Sequence, residues 1–149
     1  MNYHYMDSGL DNVWLVNGFS KLQTAYGKGV TIENIDSLHS AIGRWLIETP
    51  KPLNGAELRF LRLHMELTQN RLAKLLGVDE QAVRRWEKAR SRAIHGAADR
   101  LLRGLYGEYA GGDGSLRRMV DRLAELDQLH SERGFFGETA EGWVQQKST

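Results

Sequence analysis

Hydrophobic positions change their period along this chain. In the first third they come as short runs, VWLV and VTIENI, rich in β-branched and aromatic residues and separated by the turn signals DSGLDN, Asn17-Gly18 and GKG. Such runs predict a small antiparallel β-sheet. Its candidate core is Tyr3, Tyr5, Val13, Leu15, Val30, Ile32, Ile35, Leu38 and Ile42. From Leu38 the period lengthens: Leu38, Ile42, Trp45 and Leu46 share one face of a helix through LHSAIGRWLIE, with Asp36 or Ser37 as its cap. Thr49-Pro50-Lys51-Pro52 ends that helix, because each proline disfavours helix in the residue before it. These are the chain's only two prolines, which makes this stretch the predicted domain boundary.

Beyond the boundary the pattern is helical. Asn54 caps GAELRFLRLHME, which turns Leu58, Leu61 and Met65 inward; Thr68 caps QNRLAKLL; Asp79 caps EQAVRRWEKA; and GAADRLLRGLYGEY aligns Ala98, Leu101, Leu102 and Leu105. Gly111, Gly112 and Gly114 predict a flexible break before SLRRMVDRLAELDQLH. The stripe Leu116, Met119, Val120, Leu123, Leu126 and Leu129 is too wide to leave in water, so it packs on the body of the protein or on a second copy. From Ser131 onward no period is visible. The expected architecture is α+β: a small antiparallel β-sheet plus helix over residues 1–49, an all-α unit over 53–109, a C-terminal helix over 115–130 and a tail over 131–149.

Composition narrows the chemistry. At 149 residues and 41% apolar, the chain can bury one moderate core or two small ones. It has no cysteine, which excludes disulfides and thiolate metal sites, and His4, His39, His64, His95 and His130 are too dispersed for a local ligand cluster. No metal or cofactor is expected. Nor does any apolar run approach the roughly 18 residues of a membrane span, and the polar MNYHYMDSGL lacks a signal-sequence pattern; the expectation is a soluble, cytoplasmic protein with no membrane partner. An enzymatic reading has little to stand on: Asp7, Asp11 and Asn12 in DSGLDN fit a tight turn better than a cation loop, and YGKG fits a hairpin better than a phosphate loop.

The formal net charge is +1, but residues 1–52 carry four Lys/Arg against five Asp/Glu, residues 53–109 eleven against seven, and residues 110–149 five against seven. The excess of positive charge is confined to the central unit, the pattern expected if that part alone meets a polyanion. There, LTQNRLAKLLGVDEQAVRRWEKAR joins two short capped helices through Gly77, with only Val78 and Asp79 between. Helices linked so tightly cross steeply, with Ala73 at the closest approach and Leu72, Leu76, Val78, Val83 and Trp86 inside the corner. The outward face of the second helix is then Glu80, Gln81, Arg84, Arg85 and Lys88; Gln can read an adenine edge and Arg a guanine edge in the major groove.

This stretch resembles the helix-turn-helix of the Xre family, the lambda-repressor-like DNA-binding domains, over roughly residues 54–106. Thr68-Gln69, Leu72-Ala73, Gly77-Val78, Val83 and Trp86-Glu87 stand where that family places such residues. The resemblance implies double-stranded DNA as partner, with Gln81 and Arg85 as leading base readers and Glu80 and Arg84 beside them. It puts Thr68, Gln69, Lys88, Arg90 and Arg92 on DNA phosphates. Trp86 and Gly77 are implied to be structural, as is a Glu87–Arg62 pair. Ala89 departs from the family, which often has Gly there, and this bears on Arg90 and Arg92. The N-terminal third, with its strand-turn-strand order before a helix and a Pro-containing link, is similar to antitoxins of the MqsA (YgiT) type without their zinc cysteines. Together these imply a homodimeric, antitoxin-like and autoregulatory repressor on a palindromic operator, with a toxin protein as a further partner. The alternative is a protein-interaction module, a toxin-neutralising antitoxin or phage adaptor, in which DNA binding is secondary.

Overall fold

The computed structural model describes residues 2–124 and 133–146. Strands β1 (Tyr3–His4), β2 (Trp14–Leu15), β3 (Phe19–Thr24) and β4 (Gly27–Ile32) lead into helices α1 (Ile35–Glu48), α2 (Gly55–His64), α3 (Gln69–Leu76), α4 (Glu80–Lys88), α5 (Gly96–Gly111) and α6 (Ser115–Ala124). Strands β5 (Phe135–Thr139) and β6 (Gly142–Gln146) follow. The class is α+β, as the hydrophobic periods indicate.

The N-terminal strands form two antiparallel pairs rather than one sheet, β1 with β2 and β3 with β4. Pairing in the first is confined to Tyr3↔Leu15 and His4↔Trp14, because the chain between them coils through a 3-10 turn at Met6–Ser8. The second is a full hairpin running from Phe19↔Ile32 to Thr24↔Gly27, where Gly27 at φ 119° closes the turn. The Tyr3 and Phe19 rings meet at 5.3 Å between centroids, tilted by 33°, and join the two pairs.

Helix α1 starts earlier than its polar residues suggest. Its cap position is Asn34, in the left-handed region (φ 48°) with no side-chain cap bond, in place of Asp36 or Ser37. Asn tolerates that conformation, and Leu38 N–H already donates to Asn34 O at 3.1 Å. The earlier start rotates Ile35 outward, so it is 43% exposed rather than core; Trp45 is exposed as well, while Ile42 and Leu46 are buried.

The apolar core is continuous. Tyr5, Leu10, Val13 and Leu15 join Ile42 and Leu46 of α1, Leu58 and Leu61 of α2, Leu72 of α3, Val83 of α4 and Leu102 and Tyr106 of α5 in one cluster. Helices α1 and α5 approach closely at Gly43, where a Cβ would lie 2.0 Å from the Tyr106 hydroxyl oxygen. Arg103 of α5 donates from Nη1 to Ile47 O at 2.9 Å and Thr49 O at 3.0 Å, while Asp99 accepts from Leu53 N–H at 2.7 Å. The proline-bearing stretch is thereby fastened at both ends. At the seam between N-terminal segment and helices, the Tyr5 hydroxyl bonds His39 Nε2 and the Tyr106 hydroxyl bonds His64 Nδ1, each at 2.8 Å. The two imidazoles lie edge to face at 6.2 Å between centroids. Burial, and then His64, lower the pKa of His39 from its ordinary value.

The glycine-rich break forms a hydrogen-bonded turn. Gly114 adopts φ 77°, and the Glu108 carboxylate accepts from Leu116 N–H at 2.6 and 2.8 Å, tying α6 to α5. Part of the C-terminal stripe packs within its own chain: Val120 is buried in the core and Leu116 packs against it, whereas Met119 is 50% exposed. Arg71 of α3 pairs with Asp121 and holds α6 along the central unit. The Leu123 side chain, Leu126 and Leu129 lie outside the described residues. The stretch expected to be an aperiodic tail contains a hairpin from Phe135↔Gln146 to Thr139↔Gly142. Neither of its strands has a buried residue, so no alternation of apolar and polar positions announces it.

Candidate nucleic-acid interface

The corner is built from local signals. Thr68 Oγ1 accepts from Arg71 N–H at 3.0 Å and starts α3. Gly77 (φ 73°) ends it, where a side chain would be strained, and Val78 N–H returns to Ala73 O at 3.0 Å. Asp79 then accepts from Ala82 N–H at 2.8 Å and starts α4. Leu72, Ala73 and Val83 are buried where the helices cross, with Leu76, Val78 and Trp86 half-buried around them.

Behind the corner a charged pair locks three elements. Arg62 of α2 holds Glu87 of α4 with two bonds, Nε to Oε2 at 2.7 Å and Nη2 to Oε1 at 2.8 Å, while Nη1 donates to Leu67 O at 2.9 Å. Both residues are buried. Gln69 joins them, its Nε2 donating to Glu87 Oε1 at 3.3 Å. Such a pair does more to fix geometry than to add stability, since desolvation offsets much of its attraction. A second close contact sets the tilt of α4: a Cβ at Gly55 would lie 1.8 Å from Trp86 O, so the start of α2 rests on the backbone at the end of α4.

On the outer face, Gln81 and Arg85 are exposed one helical turn apart, and their side chains hydrogen-bond to nothing among the described residues. Their flanking partners are engaged: Glu80 accepts from Arg84 at 2.9 Å and from Asn70 at 3.4 Å. Lys88 and Arg92 are exposed. Arg90 is turned elsewhere, its Nη2 donating to Gly9 O at 2.9 Å and Asp11 Oδ1 at 3.1 Å in the loop between β1 and β2. Ala89 takes φ −87°, which needs no glycine, so its departure from the family pattern leaves the exit of α4 unstrained. The periodic reading missed Arg59, 3.7 Å from Glu87, and Asn70 at the start of α3. Asn70 adjoins Gln69 in the first turn of a capped helix and could have been flagged there. Asp11, 79 positions from Arg90, had no signal.

Two capped helices crossing at a left-handed glycine, with an exposed polar and basic face on the second, define a DNA-binding regulatory domain. A family model described as helix-turn-helix matches residues 58–94. The match supports a helix-turn-helix like that of Xre-type DNA-binding transcription regulators. Comparison with curated proteins and with solved structures gave no match. Among the described residues no helix is long and apolar enough to cross a membrane.

Proposed function

We propose that the protein is a sequence-specific, autoregulatory and antitoxin-like repressor that binds a palindromic operator as a homodimer. The observation that carries this reading is the exposure of Gln81 and Arg85, in register on one face of α4 and uncommitted among the described residues. They read bases. Thr68, Gln69, Lys88 and Arg92 meet phosphates, and Arg90 does so only by giving up Gly9 and Asp11. One helix specifies too few base pairs to select a site in a genome, so a second copy about 34 Å away doubles the sequence read.

An anisotropy titration on selected DNA tests it. Arg85→Ala should cost roughly 1–3 kcal/mol on the preferred site and relax discrimination there, whereas Gln69→Ala should weaken all sequences about equally. Equal losses for Arg85→Ala on selected and random DNA would remove it from base reading.

A second reading, the protein-interaction module, is favoured by apolar surface on the N-terminal third. Trp14, Val16, Tyr26, Ile35 and Trp45 are 42% to 101% exposed. A groove of about 260 Å³ between β2 and α1 has Trp14, Leu38, Ile42 and Trp45 in its walls. An apolar groove walled by exposed Trp14 and Trp45 suits a protein partner such as a toxin. Loss of partner binding in Trp14→Ala with DNA affinity unchanged would support this role.

A further inference from the structure

Two hairpins in this protein have open edges and complementary faces. In an antiparallel ladder, directly paired residues lie on the same face and successive pairs alternate. The pairs Lys21↔Val30 and Gln23↔Lys28 therefore put both lysines and Val30 on one face of β3–β4. Residues 19–32 contain no acidic side chain. An open depression of about 390 Å³ lies on this hairpin, with Lys21, Lys28 and Val30 among its lining.

In β5–β6 the pairs Glu138↔Trp143 and Phe136↔Gln145 place a carboxylate and two aromatic rings on one face. Phe136 is 64% and Trp143 70% exposed. Residues 135–146 carry Glu138 and Glu141 and no basic side chain. A lone two-stranded hairpin is marginal in water and gains most from covering such a face. Among the described residues the two hairpins remain separate two-stranded ladders; Phe19 and Ile32 cover the base of the β3–β4 face against the core, Val30 beyond them is half-buried, and Lys21, Lys28, Phe136 and Trp143 are exposed.

We infer that the β5–β6 face of one copy packs on the β3–β4 face of a second copy, Trp143 and Phe136 over Val30, with Glu138 against Lys28 and Lys21. The same contact repeated in reverse makes a two-fold dimer, and it uses neither α4 nor the corner. The inference rests on the operator reading only for the purpose of the dimer, not for its existence.

The test is the assembly state of the intact chain and of charge-reversed variants by light scattering, with circular dichroism to show that each variant folds. Glu138→Lys and Lys28→Glu should each weaken the dimer about tenfold, because each reversal strikes both copies of the contact. Mixing the two single variants should restore it: their heterodimer has one native and one reversed pair, both attractive. Trp143→Ala should also dissociate the dimer. An intact protein that is monomeric overturns the inference, as does a dimer indifferent to these changes. Restoration in the doubly reversed chain but not in the mixture overturns it too, and assigns the pairing to a single chain. Binding to a half-site DNA separates this outcome from the operator reading: the hairpin variants should keep half-site affinity and lose the gain from a palindrome, whereas Arg85→Ala should lose both.

Discussion

The unit α2–α4 and the hairpins β3–β4 and β5–β6 are held in opposite ways. Every helix start in the former has its own cap, Asn54, Thr68 or Asp79, and each helix has buried residues on its inner face. The hairpins bury no residue in β3, β4, β5 or β6 and rely on backbone pairing and one covered end. Local signals and core packing agree in the first region. In the second, most of what would specify an arrangement lies outside the strands, in whatever covers them.

The sharpest way to break this contrast is to remove the polar lock of the helical unit. Arg62→Met should destabilise by about 3–5 kcal/mol, because it strands the buried Glu87 carboxylate, while Arg62→Met combined with Glu87→Leu should cost clearly less. Urea melts of the four-member cycle decide this, and simple additivity would mean that the two side chains do not share their energy. A smaller effect is expected at Gly77, where a Cβ meets nothing within 4 Å but φ is 73°. Gly77→Ala should therefore cost only the left-handed backbone penalty, about 1–2 kcal/mol, read as a shift in the urea midpoint without a change in its slope. The smallest effect probes the seam between the N-terminal segment and the helices. His39 has a lowered pKa in the folded chain, so the unfolded chain takes up its proton first. Stability should fall as pH drops through about 6.5, the unfolded value, and be fully present above it. Thermal melts of the parent and His39→Gln against pH check this; an unchanged slope in the variant would mean that His39 does not couple to folding.

What was legible follows the same division. Caps, the glycine at position 77 and the Arg62–Glu87 pair were readable because helix starts, left-handed turns and the family's spacing are local. Asp36 and Ser37 misled because a left-handed Asn34, set by the exit from β4, started α1 earlier. The β5–β6 hairpin stayed invisible because strands exposed on both faces have no period-two pattern to read, and Ala140-Glu141 is not a strong turn signal. The union of Arg90 with Asp11 could not be anticipated, since nothing local links a loop after β1 to the end of α4. In the candidate site the exposed face of α4 was readable from its period, but the engagement of Gln69 by Glu87 needed the third dimension.

The fastening of the proline-bearing stretch has a consequence for dissecting the protein. By composition, residues 49–52 look like the natural place to cut, yet a protease needs several residues of backbone free to be drawn out into its cleft. Here Thr49 O is held by Arg103, Lys51 Nζ is bound to Glu57 at 2.8 Å, and Leu53 N–H is held by Asp99. Digestion should therefore spare this link and begin at the tip of β3–β4, where Tyr26 is fully exposed. Trimming the chain to begin at residue 53 would leave α5 with an arginine deprived of the carbonyls it now gathers.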